Sequence, residues 1–264
     1  MPEVRYARIA AIFLRTEIQY AMAYRANFTF GIVRLFIVVG TSIGAALILF
    51  QYTDAMNGWT LPQMIALLGV YYLVQGLADL MFMPSVTKLM EQVRLGTLDF
   101  VLLKPANSQF LVSTRYVEPT QIASVIVGAA VVALGASRMQ PSPALSDALS
   151  FALALACGVA LVYSLLIAIG TLAFWFVRMD NLLVIFSSLI EAGRFPVDIY
   201  PGWLRATLST LVPIGIAVTV PAQAISGRVD ALGLATIVLV GAGSLVFTAW
   251  FWRRGLRSYT GASA

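Results

Sequence analysis

The sequence predicts an all-α polytopic membrane protein with about six transmembrane helices, an N-terminal interfacial helix and a re-entrant or broken region before the last span. Three observations predict it. Hydrophobic residues make up 60% of the 264 and charged residues only 11%, against the roughly 25% that clothes a soluble domain. Apolar stretches of about 20 residues, the length that crosses a hydrocarbon core, recur from end to end and give a mean hydropathy of +0.88. The basic residues gather at the ends of those stretches, where they set topology. The net charge of +5 therefore speaks for a lipid bilayer as partner and not for nucleic acid.

A single transmembrane domain is expected over 1–264. Residues 1–27 read as a cytoplasmic amphipathic helix, with Ile9, Ile12, Phe13, Thr16 and Tyr20 at helical spacing and Arg5, Arg8, Arg15 and Gln19 on other faces. The apolar core Ile9 to Leu14 is too short for a secretory signal and is closed by Arg15 and Glu17. Spans are expected at 28–50, 62–84, 118–137, 148–177, 181–195 and 231–252. The most polar stretch, 85–117, separates the second span from the third. Residues 197–227 are apolar but broken by Pro201, Pro213 and Pro221, which predicts short re-entrant or interfacial helices shielded by protein.

Orientation follows from counting. With the N-terminus in the cytoplasm, twelve of the 17 Lys and Arg fall inside, and only Arg138, Arg194, Arg205 and Arg228 fall outside. Both termini are then cytoplasmic, which requires an even number of spans. The two halves differ in loop length and punctuation, so no inverted repeat is expected.

The absences narrow the chemistry. The chain has no Gly-Lys dipeptide, hence no phosphate-binding loop. It has no His, which excludes catalytic triads and His-based proton relays. The one Cys, Cys157, excludes an intrachain disulfide. No enzymatic activity, metal or cofactor of its own is expected.

Ionisable residues at membrane depth are functional candidates by default. Arg34 lies about six residues into the first span, and Asp79 about five from the end of the second. Both would sit roughly 7–9 Å below the same surface. Either they pair, or Arg34 snorkels and Asp79 faces a hydrated cavity. Arg115 and Glu118, spaced i, i+3, would meet on one helical face at the start of the third span. Glu191 and Arg194 repeat that spacing near the outer break, either as a polar gate or as headgroup-level charges, with Pro196 and Pro201 beyond them. Gly40 with Gly44, and Ala154 with Gly158, mark close contacts within the chain or a dimer face. Phe174-Trp175-Phe176 reads as an aromatic belt or the lining of a path.

The polar stretch holds Lys88-Leu-Met-Glu91-Gln-Val-Arg94-Leu-Gly96-Thr-Leu-Asp99-Phe-Val-Leu-Leu-Lys104-Pro105. It resembles the cytoplasmic loop of ABC-2 type permeases, in the bacterial subgroup with a Gly-x-Leu-Asp and Leu-Leu-Lys/Arg-Pro signature. Glu191-Ala-Gly-Arg194-Phe-Pro196 and Ile199-Tyr200-Pro201 are similar to that subgroup too, as is the overall plan. The resemblance implies a permease subunit of an ATP-driven ABC transporter, an exporter in the bacterial inner membrane. It would pair with a second permease, identical or sister, on two copies of a separate ABC ATP-binding subunit that holds ATP and Mg. It also implies a coupling helix near Ser85–Thr97. The amphipathic run Val86, Leu89, Met90 and Val93 would suit such a partner or, alternatively, the headgroups. A stand-alone secondary transporter or channel using Arg34, Asp79 and Glu118 is the rival reading, and a membrane scaffold is a third.

Overall fold

The computed structural model describes residues 11–13, 15–19, 25–176, 180–210 and 213–259. Residues 11–13 and 15–19 are helical, within the expected interfacial helix; Arg5, Arg8, Ile9, Tyr20 and Arg178 lie outside the described residues. The long elements are α1 (Arg25–Leu49), α2 (Leu61–Leu77), α3 (Met83–Leu95), α4 (Asp99–Leu102), α5 (Ser108–Thr114), α6 (Ile122–Ser137), α7 (Leu145–Leu172), α8 (Asp180–Glu191), α9 (Gly202–Thr210), α10 (Ile214–Ile225) and α11 (Ala231–Leu256). No strand forms among the described residues, and five helical stretches are long and apolar enough to cross a membrane.

The second span does not end at Pro84. The helix runs unbroken from Leu61 to Leu95, 35 residues, through a π-helical turn at Ala78–Phe82. A proline inside a helix removes one donor and crowds the carbonyl four residues before it. That carbonyl, Leu80 C=O, accepts instead from the Glu118 backbone N–H at 2.8 Å, and the wider π turn absorbs the ring. Next to it, the Ser85 hydroxyl donates to Tyr116 C=O (2.8 Å) and accepts from Tyr116 N–H (3.1 Å). The start of the third span thus supplies what Pro84 takes away.

The centre of the molecule is the α2–α6 pair, packed through glycines seven residues apart. A Cβ at Gly128 would lie 2.5 Å from Leu73 N, and one at Gly135 would lie 2.5 Å from Ala66 N. Gly69 is pressed as closely against the Val132 backbone N, and Gly76 faces Ser124 Cβ at 3.0 Å. Backbone contact of this kind replaces the hydrophobic drive that lipid does not supply. On the other side α7 carries Gly158, where a Cβ would meet Ala217 C=O at 2.5 Å. Ala217 is the residue whose helical donor would have been the N–H that Pro221 lacks, and its carbonyl lies close against Gly158. The last span α11 is tied to α7 by Thr248 Oγ1 donating to Ser164 C=O (3.1 Å) and by Ser244 Oγ to Ser164 Oγ (3.1 Å).

The expected fifth span, 181–195, corresponds to α8 and the turn that follows it. α8 has 12 residues, about 18 Å of rise, against the roughly 30 Å of a hydrocarbon core. The chain continues through 3₁₀ turns at Ala192–Arg194 and Val197–Ile199. α9 and α10 then lie at 93° to each other, as a broken element before the last span. The open backbone is covered by protein: Val197 N–H donates to Thr219 Oγ1 at 3.2 Å.

Contacts sort the loops into two ends. At one end the turn between α1 and α2 meets the α10–α11 connection and the start of α7, through Arg228 over the Trp59 ring (4.8 Å) and Gly227 beside the Asp147 carboxylate. This is the Trp59 end. At the other, the Gly96 end, Trp252 Nε1–H donates to Ser108 Oγ (3.2 Å) and Arg115 lies over the Phe13 ring (4.5 Å).

Candidate functional site

The Gly96 end carries the signature residues. Gly96 closes α3 in the left-handed region, φ 69°, where a side chain costs about 1 kcal/mol or more. Thr97 N–H reaches back to Gln92 C=O at 2.9 Å, the bond of a Schellman end. Leu98 is then fully buried beneath the end of the last span, and Asp99 begins the short α4. Tyr259, three residues past α11, packs on Phe174 (5.7 Å between rings) beside Asp99. Burial pushes the Tyr259 hydroxyl above its ordinary range, and the Asp99 carboxylate adds to that. The signature is therefore a geometry: glycine reverses the chain, leucine anchors it, and aspartate opens the next turn against the C-terminal segment. Asn107 caps α5 by accepting from Phe110 N–H at 3.1 Å, and Gln109 and Ser113 tie α5 to Tyr163 of α7.

Two faces of α3 differ. Val86, Leu89 and Met90 are buried, and Val86 and Leu89 meet α7 at Gly170. The expected apolar docking face is thus spent on the chain's own seventh helix. The opposite face presents Lys88 and Glu91, joined at 2.7 Å with side chains 49% and 40% exposed, and the exposed Arg94. Beside them Leu95, Phe100 and Leu103 are 60%, 72% and 82% exposed, and Lys104 and Pro105 are exposed as well. Sequence reasoning missed these three apolar residues because they share no helical period. Leu95 stands just before the reversal at Gly96, and Phe100 and Leu103 just after it.

The intramembrane candidates separate. Asp79 accepts from Gln75 Nε2 at 2.9 Å, while Arg34 is exposed on α1 and makes no ion pair among the described residues. Of the two alternatives for Arg34 and Asp79, the ion pair does not form among the described residues. Arg115 and Glu118 do not share a helical face either. Residues 115–118 are not helical, because that segment pairs with Leu80 and Ser85. Arg115 instead lies over Phe13 and Tyr116 (5.6 Å), and Glu118 accepts from Thr120 Oγ1 at 2.7 Å.

At the Trp59 end, Arg194 approaches Glu191 at 3.7 Å and lies over the Tyr71 ring at 5.4 Å. Pro196 is buried and Pro201 exposed. A polar cluster not anticipated from sequence stands next to them. Asp198 pairs with Arg205 at 2.8 Å, its backbone carbonyl accepts from Asn57 Nδ2 at 2.7 Å, and Gln223 Nε2 is 3.4 Å from its carboxylate. Asn57 and Gly58 both have positive φ, 49° and 81°, as an Asn-Gly turn requires. Gly40 and Gly44 face open space, whereas Ala154 is fully buried and Gly158 is in contact. Phe174 and Trp175 pack on Trp252 and Phe251 of α11 in an aromatic cluster.

The sequence matches the family described as ABC-2 family transporter protein over residues 36–263. The chain belongs to the ABC-2 transporter family. Comparison with curated proteins and with solved structures finds no match. As an ABC-2 chain it is a multi-pass membrane permease of an ABC transporter, and family membership implies an ABC ATP-binding partner. The matched region takes in both ends just described.

Proposed function

We propose that this permease forms half of the path of an ATP-driven exporter. Two permeases, identical or sister, stand on two copies of a separate ATP-binding subunit that carries ATP and Mg, in a bacterial inner membrane with both termini cytoplasmic. The basic residues crowd the Gly96 end, which supports placing that end in the cytoplasm. The observation that carries the reading is the exposed surface of Lys88, Glu91, Arg94, Leu95, Phe100 and Leu103. Apolar anchors rimmed by charges are the composition of a docking site. Lys88, Glu91, Arg94 and Leu95 are mounted on a helix continuous with the second span, so nucleotide-driven movement of the partner reaches the membrane through them without crossing a loop. Glu191, Arg194, Pro196 and Pro201, with the broken helices behind them, form the outer gate in this scheme.

Purification of the tagged chain from its native membrane in mild detergent, with mass spectrometry of what accompanies it, tests the proposal. A stoichiometric ABC ATPase is expected, and Glu91→Arg with Arg94→Glu, or Phe100→Asp with Leu103→Asp, should strip it while the permease still elutes as a folded species. A chain that purifies intact and alone would sink the reading in favour of a stand-alone transporter.

A further inference from the structure

A groove of about 240 Å³ opens between α1 and α2 towards the Trp59 end. Ala45, Leu49, Met64, Leu68 and Phe195 give it apolar walls, and Arg194 closes one end. Met64 to Tyr71 lie three to ten residues into α2, so the guanidinium is level with a stretch about 5–15 Å along that span. This is membrane depth, where a cation is retained only for a purpose.

The polar groups of the groove are otherwise engaged. Thr41 Oγ1 donates to Val38 C=O at 2.9 Å, and Ser42 Oγ bonds Val38 C=O at 2.9 Å and the Tyr72 hydroxyl at 2.6 Å. Arg194 differs. Its Nε–H is buried with no acceptor, and its approach to the 65%-exposed side chain of Glu191 is a loose 3.7 Å. A buried donor left without an acceptor costs about 1–3 kcal/mol, more on a charged group, and the guanidinium fork matches the two oxygens of a carboxylate or phosphate.

We propose that this groove binds a single-chain amphipathic anion, with its carboxylate or phosphate on Arg194 and its hydrocarbon chain along Ala45 and Leu49. Charge complementarity selects the head, and the apolar walls select the tail. As the substrate site of a transporter the groove rests on the reading given above, but the binding itself needs neither ATP nor an ATPase.

The test uses the full chain in phosphatidylcholine nanodiscs and a dodecyl phosphate carrying a photoactivatable diazirine at the chain end. Labelling should saturate on peptides containing residues 41–50 or 64–68. It should fall at least tenfold in Arg194→Gln, survive in part in Arg194→Lys, and vanish in Ala45→Trp, which fills the groove from an exposed position of α1. Equal labelling of wild type and Arg194→Gln, or label confined to the exposed face of α11, would overturn the proposal. So would equal labelling by the uncharged dodecanol analogue. Loss of labelling when phosphatidylglycerol replaces phosphatidylcholine would also overturn it, making a resident lipid the occupant. None of these outcomes depends on the co-purification that tests the transporter reading.

Discussion

The first and second spans are both apolar helices, of 22 and 35 residues, yet they use glycine in opposite ways. In the central window of the second span 67% of residues are buried, against 11% in the first. Gly69 and Gly76 of α2 are pressed against α6, whereas Gly40 and Gly44 of α1 meet nothing. The familiar Gly-x-x-x-Gly spacing is therefore the one this chain leaves unused, and the seven-residue spacing does the internal packing. What matters is whether a glycine has a matching gap on a neighbouring helix, and among the described residues only the α2–α6 pair provides gaps on both partners.

The contrast can be broken most severely at its centre. Gly128→Val should cost at least about 3 kcal/mol, since a Cβ there would run into the Leu73 backbone and the helices would have to separate. Loss of monodisperse protein in detergent and a lower midpoint of thermal unfolding are the measures. Ser85→Ala comes next. It removes both hydrogen bonds to Tyr116 and leaves partly buried backbone groups unpaired, at about 1–3 kcal/mol, and faster proteolysis of the 103–118 segment is the expected sign. Gly96→Ala should cost about 1–2 kcal/mol through its left-handed backbone, with amide exchange rising first in residues 96–104. Smallest is the pair Gly40→Ala with Gly44→Ala, which should leave the unfolding midpoint of the isolated chain unchanged. A marked loss of stability there would show that α1 is packed more tightly than its open surface indicates.

Much of the fold was legible because hydropathy and charge placement report the solvent of each segment directly. Every long span was visible in that way, and so were the polar stretch and the broken region. The continuity of the second span was not legible. Pro84 reads as a stop unless the donors that compensate for it are known, and Glu118 and Tyr116 lie more than 30 residues away in sequence. The Arg34–Asp79 pairing failed for a related reason, because equal depth says nothing about which way two helices face. In the site, Gly96, Leu98 and Asp99 were visible as a motif, but their partner Tyr259 was not. Asp198 and Arg205 were passed over because the turns between them obey no helical spacing. Leu95, Phe100 and Leu103 lie within the polar stretch 85–117, where no periodicity marks them as an exposed apolar set.

The bracing of Leu80 by Glu118 and of Ser85 by Tyr116 has a mechanical consequence. It clamps a 35-residue rod about 20 residues from Leu61 and about 12 from Leu95, so the rod has a fulcrum with arms of about 30 Å and 18 Å. A sideways push on the shorter arm would be returned at the far end in the opposite direction and enlarged about 1.7-fold by the ratio of those arms. An ångström of travel beneath Gly96 would then shift the Met64 wall by about 1.4 Å, which is gearing built from one proline and the two residues that compensate for it.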